Sequence, residues 1–536
     1  MNLLLGLRRH RSGPMLGAGL LVLSLLLSAC GSAPAPASPS AAPAPTPAPA
    51  GPTSFRIAIG VDLDSTDPAG QTTTTVSNLL DYAVETLVKL DKDGNLKPGL
   101  ADTWQVAGDG LSITFKLHSG VKFQDGTAMD ANAVKFSFDR LLNPDVKSPQ
   151  RSTFNSIKSV DAVDPATVRL NLKEPAPYLL AGLTATTSAV ISPASVTAGG
   201  NTMTNYTTPV GTGPYSFKEY VKGSKVTLEK FKDYWGAKPY YDSVVFSIVP
   251  EAGTRETLLQ AGQVDMIILP NTPDIPALQK NPAVKVLLAS SNRTIFVALN
   301  TRDAALQDPR VRQALNYAVN KEDIIKNVLF GAAEPMQGPM APSLFGYCQT
   351  NAYPYDPDKA KSLLQQAGAT NLSLKFMSPT GRYVQDFQAA QAIAGYLDKV
   401  GVKAQVSTSD WPSYVGAITA PPDKNATQMH VLGWAPSFLD AQQAMVQFQT
   451  DNNPPKGLAT SFYSNAQVDS TLAQAAKEVN PDKRKQLYCD AEKQVWSDAP
   501  WIFLWVQSFP IVYSAKVTGV SFLPNEKFDA IYAKPQ

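Results

Sequence analysis

The sequence is poor in the residues that metalloenzymes and nucleophilic enzymes use. Its 536 residues include only three cysteines and three histidines. A catalytic zinc site needs three protein ligands, and the chain has no HExxH or paired CxxC pattern. It also lacks a GxSxG nucleophile elbow and a GxxxxGK[ST] phosphate loop. Composition alone does not exclude a glycosidase, because 45 acidic residues supply many paired carboxylates. No pattern indicates catalysis, so we expect a protein that is not an enzyme and holds no metal or cofactor.

An excess of one charge is also missing. The first 29 residues contain three arginines and no acidic residue, and the remaining chain carries 44 Lys and Arg against 45 Asp and Glu. That part has no run of basic residues, so we expect no binding to nucleic acid. Hydrophobic residues make up 44% of the chain, which is enough for a large globular core.

Only the N-terminus has an apolar segment typical of export. Arg8, Arg9 and Arg11 precede the uncharged, leucine-rich stretch Met15–Ala29, as in a secretory signal peptide. The following Leu27–Cys30 segment (LSAC) resembles a bacterial lipobox, in which the cysteine is diacylated and becomes the first mature residue. The alternative is a plain signal-anchor helix with an incidental cysteine. We expect residues 1–29 to be a signal peptide and Cys30 to anchor an exported cell-envelope lipoprotein to a membrane.

A tether follows the proposed lipid anchor. Residues 31–53 consist only of Ala, Pro, Ser, Thr and Gly, include eight prolines and carry no charge. Such a segment has nothing to bury and favours an extended polyproline conformation. We therefore expect residues 30–53 to link the lipid to the folded domains.

The remaining two cysteines form an even pair in a protein expected to be exported. Cys348 and Cys489 are 141 residues apart. An oxidising compartment favours a disulfide between them, and two separately buried thiols are the alternative.

The order of predicted elements indicates a mixed α/β fold. Ser54–Gly60 alternates as a strand does, and Thr75–Leu87 has a helical pattern. Asp308-Pro309 and Asp356-Pro357 each combine an N-cap residue with proline at the first helical position. His118 and His430 are far apart in sequence, and we interpret each as a strand or surface residue.

Several segments, taken together, resemble one protein family. The chain is similar to the extracellular solute-binding proteins of ABC importers, in the dipeptide/oligopeptide/nickel family (family 5). The resemblance covers about residues 54–530. The matching segments are Tyr82–Val88, Leu96–Trp104, Ile113–Leu142, Gly211–Tyr215, Tyr234-Trp235, Glu251–Asp265, Asp308–Lys321, Tyr355–Gly368 and Gly433-Trp434.

The resemblance implies a two-lobed α/β periplasmic-binding-protein fold of the class II, cluster C type. Lobe I would comprise residues 54–292 and 505–536, with a peripheral subdomain at 105–210. Lobe II would comprise residues 295–500. Crossover segments near Arg293–Asn300 and Pro500–Val506 would form a two-segment hinge, and a ligand that contacts both lobes would favour the closed state.

The Gly-Trp motif locates one part of the expected ligand site. In peptide-binding members an aspartate three residues after the tryptophan holds the amino terminus of the peptide, and here that position, counted from Trp434, is Ser437. Simple dipeptide specificity is therefore in doubt. Asp440 either replaces that aspartate or caps a helix at Ala441–Val446.

Other candidate ligand residues come from three segments. Arg382, beside Tyr383, lies about where some peptide-binding relatives place a carboxylate-binding arginine, and a solvated surface arginine is the alternative. Trp411 and Trp434 would offer flat walls to a ligand, or would belong to the core. Thr75, within Thr73–Ser77, would present a hydroxyl from lobe I, and an N-cap cluster explains that segment equally well. Arg310 and Arg312 are interpreted as structural.

We expect the substrate-binding component of an ABC importer, a monomer that delivers a peptide or peptide-like solute to permease and ATPase subunits. Gly433–Gln447 and Ser461–Val479 resemble the glutathione-binding branch. A glutathione-like or modified peptide is the preferred ligand, because two carboxylates would suit a cleft that contains an arginine. A receptor for a nickel chelate or an oligosaccharide is an alternative. An envelope chaperone or signalling receptor with the same fold is another.

Overall fold

The computed structural model describes residues 53–71, 73–198, 208–350, 353–409 and 411–536. The predicted signal peptide, Cys30 and nearly all of the predicted tether lie outside the described residues. In the part of the chain that is described, strands and helices are mixed along the sequence, as expected for an α/β protein.

The strands are β1 (Ser54–Ile59), β2 (Val88–Leu90), β3 (Leu96–Pro98), β4 (Ala101–Val106), β5 (Ser112–Leu117), β6 (Ile157–Asp164), β7 (Thr167–Leu172), β8 (Tyr215–Val221), β9 (Lys225–Lys230), β10 (Ser243–Ile248), β11 (Met266–Ile268), β12 (Val284–Leu299), β13 (Ala333–Pro335), β14 (Ser373–Met377), β15 (Lys403–Ser407), β16 (Met429–Trp434), β17 (Trp501–Ser514), β18 (Val517–Thr518), β19 (Ser521–Leu523), β20 (Lys527–Asp529) and β21 (Lys534–Pro535).

The α-helices are α1 (Thr74–Leu80), α2 (Ala131–Leu142), α3 (Leu179–Gly182), α4 (Pro193–Ala198), α5 (Ala252–Gln260), α6 (Ile275–Lys280), α7 (Pro309–Ala318), α8 (Lys321–Asn327), α9 (Pro357–Gln366), α10 (Asp386–Asp398), α11 (Trp411–Ile418), α12 (Ala441–Met445), α13 (Ala466–Ala475) and α14 (Pro481–Asp498). Short 3₁₀ helices lie at Pro144–Val146, Arg151–Phe154, Thr186–Ser188, Thr272–Asp274, Val446–Phe448 and Thr450–Asn452.

Two long antiparallel strands, β12 and β17, run through the middle of the largest sheet. The strand order is β15-β14-β16-β12-β17-β11-β1-β10-β9-β8, and β13 also pairs with β17. The first half of β12 pairs with the end of β17, and the register shifts between Ser290 and Thr294. Both predicted crossover segments coincide largely with β12 and β17. The strands to one side belong to predicted lobe I and those to the other side to predicted lobe II.

A separate four-stranded antiparallel sheet has the order β4-β5-β7-β6. Its apolar side chains, among them Phe115, Val168 and Leu170, join α2 in a core of their own. This sheet lies largely within the predicted peripheral subdomain. The described residues otherwise form one compact unit, so the exact lobe boundaries stay predictions.

The sequence signals for helix starts are confirmed at both Asp-Pro sites. The Asp308 carboxylate accepts a hydrogen bond from the Arg310 amide, and Asp356 accepts one from the Lys359 amide. Each bond satisfies one of the amide groups that have no partner inside the helix.

The predicted helix Thr75–Leu87 is wrong in its second half, because α1 ends at Leu80. The following segment is held in place by Glu85. Its carboxylate accepts hydrogen bonds from Thr212, Tyr234 and Trp235, at 2.9, 3.0 and 2.7 Å. The backbone of Glu85 also forms a β-bridge, which a helix would not allow.

The structure joins Cys348 to Cys489 in a disulfide, with the Cα atoms 5.0 Å apart. Both cysteines lie in predicted lobe II, so the bond does not connect the two predicted lobes.

None of the helices in the described residues is long and apolar enough to cross a membrane. The same residues contain no cluster of three or more His, Cys, Asp or Glu arranged to hold a metal ion. His430 is buried in β16, and His118 is partly exposed beside Asp102 at 2.8 Å, so both match the strand or surface interpretation.

Candidate ligand-binding site

A cavity of about 270 Å³ lies beside the irregular middle of β12, at the end of β16 and near the start of α1. We call it the cleft cavity. Predicted lobe I contributes residues near α1 and in the 150–154, 185–187 and 525–527 segments, and predicted lobe II contributes Arg382 and the segment 433–437. Asn292 and Arg293, from the irregular part of β12, lie between the two sets. A small molecule in this cavity would therefore contact both predicted lobes.

The charges in the wall of the cleft cavity are mostly paired. Arg293 donates two hydrogen bonds to the carboxylate of Glu526, at 2.8 and 2.7 Å. Burial acts to lower the pKa of Arg293, but Glu526 outweighs this effect and the pKa is raised. The ammonium group of Lys527 lies 2.7 Å from Asp81. These two pairs neutralise their own charges and leave the net charge of the site to Arg382.

Arg382 has no carboxylate within ion-pair distance among the described residues, and it lines the cleft cavity. The position of its loop is set by Asp386, whose carboxylate accepts hydrogen bonds from the amides of Gly381, Arg382 and Tyr383 at 2.8 to 3.0 Å. Gly381 has a φ of 76°, which glycine adopts without strain. The guanidinium of Arg382 therefore extends from a loop whose backbone is held in place by Asp386.

Two aromatic rings lie against the Arg382 guanidinium. Its central carbon is 5.0 Å from the ring centre of Tyr383 and 5.3 Å from that of Trp411. Trp411 in turn stacks on Tyr414 at 5.6 Å and is about one-third exposed, so it belongs partly to the core and partly to the surface. A ring face attracts a cation at this distance, so both rings help to hold the guanidinium in place. Asp410, which precedes Trp411, lies outside the described residues.

Tyr383 itself is mostly buried. Its hydroxyl donates a long hydrogen bond to the carbonyl of Gly433, at 3.4 Å. Burial raises the pKa of Tyr383, so its hydroxyl stays a donor at neutral pH. This contact ties the Arg382 loop to the Gly-Trp motif.

Trp434 and Ser437 both line the cleft cavity, as predicted from the Gly-Trp motif. Trp434 is half-buried, and its indole N–H donates to the carbonyl of Gln443 at 2.9 Å. The backbone amide of Ser437 donates to the side-chain oxygen of the same Gln443. One glutamine of α12 therefore fixes the shape of this wall.

Asp440 does not line the cleft cavity. Its carboxylate caps α12 through the amide of Gln442 and forms two hydrogen bonds with Arg484, at 2.8 and 2.6 Å. Both side chains are about 4% exposed. The N-cap interpretation is confirmed, and the ion pair occupies the carboxylate that was expected to replace the missing aspartate. The structure therefore separates Asp440 from Arg382, Trp434 and Ser437.

Thr75 also stands apart from the cleft cavity. Its neighbours Thr73, Thr74 and Ser77 line the cavity, whereas Thr75 does not. Thr73 is the N-cap of α1, since its hydroxyl accepts a hydrogen bond from the Val76 amide. The predicted segment thus reaches the cavity through Thr73, Thr74 and Ser77, and the N-cap interpretation of Thr73 is confirmed.

Two buried asparagines of the cleft cavity were not predicted. Asn292 donates its side-chain N–H to the Pro436 carbonyl at 2.6 Å, and its side-chain oxygen has no partner among the described residues. Asn525 is 6% exposed, and neither end of its amide has a partner in the same part of the chain. A buried amide without a partner is costly, and a bound ligand or water would satisfy it. No local sequence signal marks either residue, because both become site residues only through the fold.

Comparisons with known proteins show which sequences and folds the chain resembles. The model for bacterial extracellular solute-binding proteins, family 5 (Middle), matches residues 95–456. The glutathione-binding protein GsiB of Pectobacterium atrosepticum is 34% identical over 475 residues, which are 88% of this chain and 92% of that protein.

Two solved structures show the same fold. HbpA2 from Haemophilus parasuis has a TM-score of 0.80 at 25% identity, covering 90% of this chain and 100% of that one. The ABC transporter-associated periplasmic binding protein DppA from Helicobacter pylori, in complex with the peptide STSA, has a TM-score of 0.73 at 27% identity, covering 89% and 98%. The two-lobed α/β fold is thereby confirmed.

Sequence, fold and cavity thus lead to the same family. The chain belongs to the bacterial extracellular solute-binding proteins, family 5, which are the exported solute-binding components of ABC importers.

Proposed function

We propose that this protein captures an anionic, peptide-like solute, preferably glutathione or a close analogue, and delivers it to the permease of an ABC importer. The observation that carries the proposal is the unpaired guanidinium of Arg382 in a cavity whose other described charges are paired. A guanidinium binds a carboxylate through two parallel hydrogen bonds. Glutathione has two carboxylates and one ammonium group, so its net charge is negative and complements the positive charge of Arg382.

Ser437 supports the choice of ligand. A peptide ammonium group buried without a carboxylate partner would cost several kcal/mol, and Ser437 stands where peptide-binding members have an aspartate. The second possible carboxylate, that of Asp440, is already paired with Arg484. An ordinary dipeptide is thus disfavoured relative to a ligand that is bound mainly through its carboxylates.

Ligand binding would act through closure of the lobes. We place the lobe boundaries at 54–292 and 505–536 against 295–500, with a two-segment hinge near Arg293–Asn300 and Pro500–Val506. The first of these segments begins at the irregular part of β12. The register shift between Ser290 and Thr294 interrupts the hydrogen-bond ladder there, which allows bending at a lower cost than in a regular sheet. Affinity and closure are the whole activity, without a chemical step.

The proposal includes anchoring. Cys30 would carry the lipid, and residues 31–53 would let the domains reach the permease as a monomer. Replacing Cys30 by serine should release the mature protein from the membrane fraction.

The experiment that tests the ligand class uses the mature chain with Cys30→Ser, which stays soluble. Native mass spectrometry followed by denaturation would identify a copurified ligand, and calorimetric titration would compare glutathione, Met-Leu, a nickel–histidine chelate and maltotriose. Preferential binding of glutathione supports the proposal. Preference for the neutral dipeptide or the sugar would contradict it.

A further inference from the structure

A second and larger cavity, of about 470 Å³, lies on the other side of the segment 437–440. We call it the apolar cavity. Most of its lining side chains are Leu, Ala, Val, Ile, Pro or Phe. They come from the segments 90–96, 106–113, 172–181, 343–345, 439–440 and 479–484. Like the cleft cavity, it has walls from both predicted lobes.

The rim of the apolar cavity exposes large hydrophobic side chains. Leu96, Val106, Phe345 and Val479 line it, and each is between 36% and 46% exposed. Several exposed apolar residues around one cavity indicate a binding surface, whereas single exposed residues are ordinary. The hydrophobic effect therefore favours an apolar group in this place.

The two buried charged residues of the apolar cavity are paired with each other, so neither needs a charged group of a ligand as a partner. Asp440 and Arg484 neutralise each other across 2.6 Å. The occupant that this wall accepts is thus neutral and apolar, in contrast to the occupant of the cleft cavity.

Phe438 lies in the chain between residues that line the two cavities. The preceding residue, Ser437, lines the cleft cavity, and the following one, Leu439, lines the apolar cavity. The Phe438 ring is 1% exposed and stacks on Tyr178, with the ring centres 6.4 Å apart and the planes at 13°. The segment that faces Phe438 is arranged in the same way. Ala181 of α3 lines the apolar cavity, and residues 185–187 line the cleft cavity.

We propose that the apolar cavity is a second compartment of the ligand site, which takes an apolar substituent of the solute whose charged part lies in the cleft cavity, and that Phe438 is the specificity-determining residue between them. The inference rests on the proposed function for the charged part of the ligand. It narrows the substrate class to amphiphilic peptide-like solutes, such as an S-alkylated glutathione.

The first test needs no charged ligand. N-phenyl-1-naphthylamine, a neutral probe that fluoresces in apolar surroundings, is titrated into the mature Cys30→Ser protein. We expect saturable binding of one probe per chain and at least a tenfold loss of affinity in Ala181→Phe, which fills the cavity. Val106→Glu places a charge at the exposed rim and should have the same effect, which keeps the test valid if Ala181→Phe does not fold. The control is Val163→Glu, since Val163 is 51% exposed but lines neither cavity.

The second test joins the two compartments. S-hexylglutathione should displace the probe and bind at least tenfold more tightly than glutathione, and Val106→Glu should return the ratio of the two affinities to near one. Phe438→Ala should increase the preference for the hexyl derivative further.

Each part of the proposal, and the proposed function itself, fails on a different result. Absence of saturable probe binding, or probe binding that Ala181→Phe and Val106→Glu leave unchanged, overturns the apolar compartment. Equal affinities for glutathione and its hexyl derivative overturn the shared ligand, and an unchanged preference in Phe438→Ala overturns the role of Phe438. If neither compound binds while the probe does, the proposed function fails and the apolar site stands.

Discussion

Arg293 and Glu526 form a two-point ion pair across the wall of the cleft cavity, at 2.8 and 2.7 Å. Arg293 belongs to the irregular part of β12, and Glu526 lies between β19 and β20 with a φ of 62°. The pair fixes a mostly buried arginine at the predicted hinge without adding a net charge to the ligand site. It therefore leaves Arg382 as the charge that a ligand meets.

Replacing Glu526 by glutamine should add a net positive charge to the cleft cavity. We expect glutathione to bind about fivefold more tightly, because removing one negative charge from the wall of a solvated cavity is worth roughly 1 kcal/mol to an anionic ligand. We also expect lower thermal stability, because Arg293 loses its partner. Calorimetric titration at low and high salt measures the change. Glu219→Gln is the control, because Glu219 pairs with Lys225 and both side chains are exposed, on β8 and β9. Weaker binding in Glu526→Gln would contradict this electrostatic account.

Replacing Arg382 by alanine should abolish most of the ligand affinity. Hydrogen bonds to a charged group contribute about 1.5–3 kcal/mol, so we expect a loss of roughly ten- to a hundredfold without unfolding. Arg382→Lys should recover only part of this loss, because the lysine ammonium cannot donate two parallel hydrogen bonds to a carboxylate as a planar guanidinium does. Arg310→Ala is the matched control, since Arg310 is exposed and pairs with Asp308 in its own helix. Unchanged affinity in Arg382→Ala would remove Arg382 from the site.

Asp440→Asn should reduce stability and spare binding. Breaking a buried ion pair by removing one partner costs about 3–5 kcal/mol, and Asp440 and Arg484 are both almost completely buried. Thermal unfolding measures the stability, and titration with glutathione well below the unfolding temperature measures the binding. A variant with the original melting temperature and no binding would show instead that Asp440 contacts the ligand.

His430 should make the stability depend on pH in the weakly acidic range. Its side chain is fully buried, and burial lowers its pKa from the ordinary 6.5 to about 3. The unfolded chain thus binds more protons between these values, so the contribution of His430 to stability is present above about pH 6.5 and is lost as the pH falls towards 3. We expect a loss of about 2 kcal/mol between pH 7 and pH 5.

The matching variant is His430→Gln, which can keep the hydrogen bond to Thr460, at 2.7 Å in the native protein, and does not titrate. Denaturant unfolding at several pH values should show a shallower dependence in this variant than in the native protein. Identical slopes in the native protein and His430→Gln would contradict the prediction.

Local signals in the sequence predict local structure well. The caps at Asp308 and Asp356 are correct because each depends on residues within three positions. The helix after Thr75 is predicted too long because its end depends on Glu85 and on partners more than 100 residues away. Helical propensity contains no information about such contacts.

At the ligand site, too, local sequence motifs are informative, whereas contacts between distant residues cannot be predicted. The Gly-Trp motif and the Gly-Arg-Tyr loop point to Trp434, Ser437 and Arg382, and the fold brings these three to one cavity. The role of Asp440 was ambiguous in the sequence because its partner, Arg484, is 44 residues away. Asn525 could not be predicted, since only the fold buries its amide at the cavity.

The most direct test of the central claim is a calorimetric titration of the mature Cys30→Ser protein with glutathione, repeated with Arg382→Ala. We predict saturable binding at one site per chain and at least a tenfold weaker affinity in the variant. Absence of binding to the native protein, or equal affinity in both proteins, would contradict an Arg382-centred site for an anionic peptide-like solute.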